Sequence, residues 1–224
     1  MFEFKIFTKA GFVTKWQKSY YWFFWALLLF LHQIGIYMFA FLKNIRRRRR
    51  MKALEVSHIR VFPNVEELER VALVWRMENQ EEVVQLDAVL DFFKSAKLEA
   101  TVVVVEHGKI FRNKAAREEF SLLCDDKGVI FIPKDQIKWY GFPKGEVVKQ
   151  LFQEPQFDMC VCICGSSDFT VEYLASGIKS NFTAGMFEPQ WCNFSFILQE
   201  GSAHPTAREY LAALLEYMRK MNQK

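Results

Sequence analysis

The chain has 224 residues, 51% of them hydrophobic and 25% charged, with a formal net charge of +4 at pH 7. That balance conceals two unlike segments: residues 1–50 carry ten Lys and Arg against Glu3 alone, whereas residues 51–224 carry 20 against 25. The second segment has room for one domain with a sizeable core, and its mildly acidic balance excludes the broad basic surface of a dedicated nucleic-acid-binding fold. Cys124, Cys160, Cys162, Cys164 and Cys192 make an odd count with no spaced framework, which argues for reduced thiols and against a disulfide scaffold.

In chain order, the first predicted element is a membrane span over residues 20–42. It contains 23 residues without one Asp, Glu, Lys or Arg and runs into Lys43, Arg46, Arg47, Arg48, Arg49, Arg50 and Lys52. Such a run crosses the ~30 Å of bilayer hydrocarbon as one helix with its backbone amides satisfied internally. Seven basic residues after the span, against Lys5, Lys9, Lys15 and Lys18 before it, bias the globular part toward the cytoplasm. Trp16, Tyr20, Tyr21, Trp22 and Trp25 suit one headgroup zone and Tyr37 the other. His32 and Gln33 are read as helix–helix contacts or tolerated polar groups in preference to a proton path. The organisation expected is a flank (1–19), a transmembrane helix (20–42), a basic juxtamembrane arm (43–56) and a globular domain (57–224), at the inner, cytoplasmic membrane. A translation start at Met38 or Met51 would instead give a cytoplasmic protein with a short basic arm, suited to anionic lipid or RNA.

Within the globular part, 71–77 (VALVWRM) and 100–106 (ATVVVVE) read as buried strands around one amphipathic helix from Gln80 to Lys97. That β-α-β unit predicts a parallel pair with a crossover. The alternation continues with a helix at 112–125, a strand at 129–133, a helix at 145–153, the strand 157–164 and a helix at 168–179. Strand candidates 181–187 and 192–199, split by Glu188-Pro189-Gln190-Trp191, suggest an antiparallel return at a sheet edge. A closing helix spans 205–221, with Pro205 in its first turn. The class is α/β: an open, mostly parallel sheet with helices on both faces in a Rossmann-like three-layer arrangement, preceded by one N-terminal transmembrane helix.

Ligands of open parallel sheets gather beyond the strands' carboxyl ends. There, Gly165, Ser166, Ser167 and Asp168 lead into a helix. The glycine and hydroxyls suit a phosphate, but a carboxylate at the helix start repels anions and serves naturally as an N-cap. Glu106-His107-Gly108-Lys109 supplies an acid, an imidazole and a cation; His107 is a candidate base, set against a plain solvated loop. Glu78-Asn79-Gln80-Glu81-Glu82 reads as a polar turn favourable to a helix N-terminus. Alternating Cys160, Cys162 and Cys164 share one strand face, a packing pattern more than a zinc pattern. Dinucleotide fingerprint, P-loop and nucleophile elbow are all missing, scattered histidines support no metal site, and no cofactor is expected.

A basic lead (KNIRRRRRMK), a first strand (VALVW), the Phe157-Asp158 strand entry, and Glu172-Tyr173-Leu174-Ala175-Ser176 through Phe182-Thr183-Ala184-Gly185 resemble, from roughly Leu42 to Met221, an uncharacterised bacterial family of unknown function seen chiefly in Bacteroidetes. The resemblance implies an α/β domain behind a basic arm and carries over no reaction. The leading expectation is a membrane-associated, non-catalytic binding or assembly protein whose arginine run meets anionic headgroups, with a protein partner. The alternatives are an enzyme acting on a nucleotide or sugar-phosphate in the strand-end crevice, and an RNA- or ribosome-associated protein binding through the arginines.

Overall fold

A computed structural model describes residues 15–54, 62–199 and 205–223, with side chains from Trp25 onward except Val147. The side chains of Trp16, Tyr20, Tyr21 and Trp22, assigned above to a headgroup zone, lie outside that description, as do His58 and His204. Two compact units divide between Ile45 and Arg46.

The first element, α1 (Lys15–Lys52), is a single helix of 38 residues and extends past the apolar run at both ends. Arginine is a good helix former, and Arg49, Arg50 and Lys52 in the last turn complement the negative end of the helix dipole. Its stretch from Trp25 is long and apolar enough to cross a membrane.

In the second unit, β1 (Arg70–Met77), β2 (Glu99–Glu106), β3 (Ile130–Ile132), β4 (Phe157–Ile163), β5 (Ser180–Gly185) and β6 (Phe196–Ile197) form one open sheet in the order β3-β2-β1-β4-β5-β6. Every neighbouring pair is parallel. Strand alternation divides β1 between two cores. Val71, Leu73, Trp75 and Met77 pack with α3 (Leu86–Ser95), α4 (Lys114–Asp126) and α7 (Ala207–Asn222). Ala72 and Val74 pack on the opposite face with α5 (Glu146–Gln153) and α6 (Phe169–Gly177), joined by Met51 and Leu54 from the end of α1. Cys160, Cys162 and Cys164 belong to this second core and are completely buried or nearly so.

Three expectations change. The single helix from Gln80 to Lys97 is two, α2 (Gln80–Val84) and α3, separated at Gln85. Val83, Val84 and Leu86 cannot all share one helical stripe. The break leaves Val84 exposed and sets Leu86, Val89 and Phe93 on one buried face. The proposed antiparallel return is instead a parallel neighbour, β5 to β6, reached by residues 186–195 without a helix. Those residues cross the second face, where Phe187 and Phe194 enter the core. Pro205 stands just before the α7 N-cap, Thr206, which forms a reciprocal capping box with Glu209.

Gly185 makes this crossover possible, because a Cβ there would overlap the Phe194 ring. Gly185→Ala should therefore cost about 1–3 kcal/mol through overpacking. Urea unfolding of the two proteins measures it, and an unchanged midpoint would count against the close approach.

Candidate functional site

The connections from β1 and β4 leave the sheet toward opposite faces: β1 leads into α2 and α3, β4 into α6. Neighbouring strands that diverge in this way open a crevice at their carboxyl ends. The crevice here has a volume of about 730 Å³ and is bordered by Arg76, Glu78, Glu82, Gly165, Ser166 and Thr206, over a floor that includes Trp75 and Ile163. A second hollow of about 580 Å³ lies by α3 and the end of α4, where Lys127 and Asp87 pair.

Arg76 determines the electrostatics of the crevice. Alternation along β1 turns it toward the second face, where its side chain is only 7% exposed. Its Nε donates to Glu78 Oε1 at 3.0 Å, Nη1 donates to Asp168 Oδ2 at 3.1 Å, and Nη2 reaches both Glu78 and, at 3.4 Å, Ser166 Oγ. Burial works against the guanidinium charge, but the neighbouring anionic groups and the Glu78 hydrogen bond outweigh it and hold Arg76 above its usual pKa. Glu82 accepts from the Glu78 backbone N–H at 2.5 Å, and burial, aided by the Glu78 charge, raises its pKa.

The segment picked out after β4 thus has definite partners. Gly165 lies against the Glu78 carboxylate. Ser166 accepts from Arg76, and its carbonyl accepts from Cys164 Sγ at 2.8 Å. Ser167 Oγ donates to Glu172 Oε1 at 2.6 Å. Asp168 Oδ1 caps α6 by accepting from Thr170 N and Val171 N, while its other oxygen holds Arg76. The α2 and α7 N-termini are likewise closed by Asn79 and Thr206.

His107 is exposed beyond β2 and does not border the crevice, so the structure does not join it to Gly165–Asp168. Its neighbour Glu106 is buried and structural, accepting from Arg117 Nη2 and Lys134 N, each at 2.9 Å. Among the described residues no group of three or more His, Cys, Asp or Glu is placed to hold a metal ion.

The arginine run divides by helical face. Arg47, Arg50, Met51 and Leu54 follow the i, i+3, i+4, i+7 spacing of one stripe. Arg47 Nε donates to the Tyr140 carbonyl at 2.9 Å, and its guanidinium lies 4.8 Å from the Phe169 ring centre and 5.3 Å from that of Trp191. Arg50 lies 4.5 Å from the Phe142 ring centre, and Arg46 lies 5.2 Å from Trp139 and 5.7 Å from Tyr140. Gly141, at φ +86°, turns the loop that presents Tyr140 and Phe142. Burial lowers the Arg47 pKa while Asp168 and Glu172 oppose the change. Arg46, Arg48, Arg49, Arg50 and Lys52 are exposed, and Lys43 and Arg47 are half-buried.

Sequence reading missed Arg76 and the aromatic set. An arginine inside an apolar strand was the available signal for Arg76, because such a charge needs partners. Nothing local to 139–142 or Trp191 points to Arg47.

Replacing Arg76 by Ala leaves Glu78 and Asp168 without their cation and should destabilise the fold by about 3–5 kcal/mol, the cost of breaking a buried pair from one side. Urea unfolding reads the loss; a change within error would contradict the pairing. Burial pushes the Cys124, Cys164 and Cys192 thiols up to about 12. The folded state therefore holds these protons more tightly than the unfolded one. Their contribution to stability is complete below pH 9.0, the ordinary value, and declines as pH rises toward about 12. Urea midpoints taken on either side of pH 9.0 should show the decline, and Cys124→Ala should remove part of it.

A search of curated proteins finds no match. The model of a family of unknown function, DUF6913, matches residues 41–219, which takes in the arginine run and nearly all of the sheet-bearing unit. With most of its length matched, the chain belongs to the DUF6913 family.

Proposed function

We propose that this protein is a membrane-tethered, non-catalytic α/β binding module, held by α1 at the inner face of the cytoplasmic membrane with its sheet-bearing unit in the cytoplasm. One observation carries the tether. Between Trp25 and Leu42, thirteen large apolar side chains of α1 are 43–73% exposed. A continuous apolar surface of that extent is stable only when covered, and a helix with all backbone groups paired is suited to lipid. The charge difference across the span favours a cytoplasmic body.

Arg48, Arg49 and Lys52, exposed on the last turns of the helix, are available to anionic headgroups at about 1 kcal/mol each. Arg46, Arg47 and Arg50 serve the fold through their aromatic partners. The non-catalytic part rests on the crevice chemistry: its guanidinium is engaged by carboxylates, and the nearby cysteines are held as thiols and not as nucleophilic thiolates.

Fractionation of cells expressing the full chain tests the tether. The protein should stay in the membrane pellet after high-salt and alkaline carbonate washing. Release by salt alone would exclude a spanning helix. Arg48→Gln/Arg49→Gln/Lys52→Gln should leave that resistance intact while reducing retention on vesicles containing phosphatidylserine relative to neutral ones.

A further inference from the structure

The span proposed as the tether carries a hydrogen-bonding side chain close to its centre. Residues 20–42 centre on Leu31, which puts Gln33 roughly 3 Å further along α1 at about 1.5 Å per residue. The Gln33 side chain is exposed on the helix, and among the described residues no hydrogen bond reaches it. At that depth lipid offers neither donor nor acceptor, and the backbone groups of a helix are already paired with one another. The carboxamide therefore needs a polar group from a second helix.

The residues around Gln33 allow a second helix to come close. At about 100° per residue, positions seven apart return to nearly the same face, and Ala26, Gln33 and Ala40 are spaced in that way. No other alanine occurs in residues 20–42. Leu29 and Ile36, 63% and 56% exposed, complete the seam at the alternate position of the same heptad. Small residues on either side of a polar one let two backbones approach until a side chain as short as glutamine can span the gap. His32 has the bulky Trp25 and Phe39 at the corresponding intervals.

We propose that α1 pairs in parallel with the α1 of a second copy of this chain along the seam of Ala26, Gln33 and Ala40, with the two Gln33 carboxamides hydrogen-bonded across it. The inference rests on the tether proposed above and names its partner. A second copy fits because the carboxamide is self-complementary: its N–H groups donate and its carbonyl oxygen accepts. Copies of one chain share one orientation in the membrane, so a twofold axis along the bilayer normal sets each Gln33 beside its counterpart. A polar group at this heptad position also fixes the register of the pair.

Energy transfer between full-length copies labelled with donor or acceptor at a C-terminal tag, reconstituted in phosphatidylcholine vesicles, tests the pairing. Transfer should exceed random proximity and fall, as lipid is added, along a two-copy equilibrium. Gln33→Leu should weaken association about tenfold, and Gln33→Asn should retain most of it. Ala26→Leu/Ala40→Leu, which adds bulk to the seam, should weaken it as well, whereas Leu31→Ala, about 200° around the helix from Gln33, should leave it unchanged. Transfer that is the same in Gln33→Leu overturns the proposal, because the copies then meet elsewhere. Transfer no greater than random at any density also overturns it and leaves the seam to lipid or to a different protein. Flotation of the same vesicles after carbonate washing separates this failure from that of the tether. Protein that floats without transfer sinks the pairing alone, and protein that does not float sinks both.

Discussion

The guanidinium of Arg76 joins the centre of the sheet to the loop between β4 and α6. It sits at the carboxyl end of the central strand, donates to Glu78 beside it, and reaches Asp168 at the start of α6. Removing such a charge from water is expensive, and the cost is met only because two carboxylates and a serine hydroxyl are held at hydrogen-bonding distance. Two of those partners, Asp168 and Ser166, arrive from a segment about 90 residues away in sequence. The pairing requires β4 to lie against β1, with Leu73 opposite Val161 and Trp75 opposite Ile163. The same arrangement defines the crevice and engages the guanidinium in its wall.

A second buried charge organises the neighbouring ground. Glu172 is completely buried in α6 and accepts from Ser167 Oγ and from the Trp191 backbone N–H. Through Trp191 it holds the helix-free crossover that brings β6 into a parallel position, and its charge also bears on Arg47. Asp168 and Glu172, one helical turn apart, thus serve both the sheet's central arginine and the arginine stripe at the end of α1. This explains why a strongly basic run can lie against an acidic unit without being wholly solvated: aromatic faces and two buried or part-buried carboxylates receive its inward side.

The layered α/β class was legible because buried parallel strands are continuous apolar runs, and 71–77, 100–106 and 157–164 each contain one. The cysteine face of β4 followed from two-residue alternation alone. The parallel placement of β6 was not legible, since a proline-bearing loop of hairpin length gives no local sign of a Glu172 anchor on another element. Nor was the break at Gln85, which depends on which of Val83, Val84 and Leu86 finds a core to enter. Of the site residues, the turn Gly165–Asp168 was locatable by its position after a strand, but the absence of His107 from the crevice depends on where the β2 exit points.

The sequence by itself determined an uncharged span beside an arginine run, an acidic body of alternating strands and helices, and reduced cysteines on a shared face, because charge, hydrophobicity and periodicity are local properties. Tertiary structure alone decided that Asp168 caps a helix and neutralises Arg76 at once, that Arg46, Arg47 and Arg50 turn toward aromatics, and that of the five arginines Arg47 is the one half-buried. A buried charge is stable only with partners in place, and those partners are brought together by strand order and register across the whole sheet.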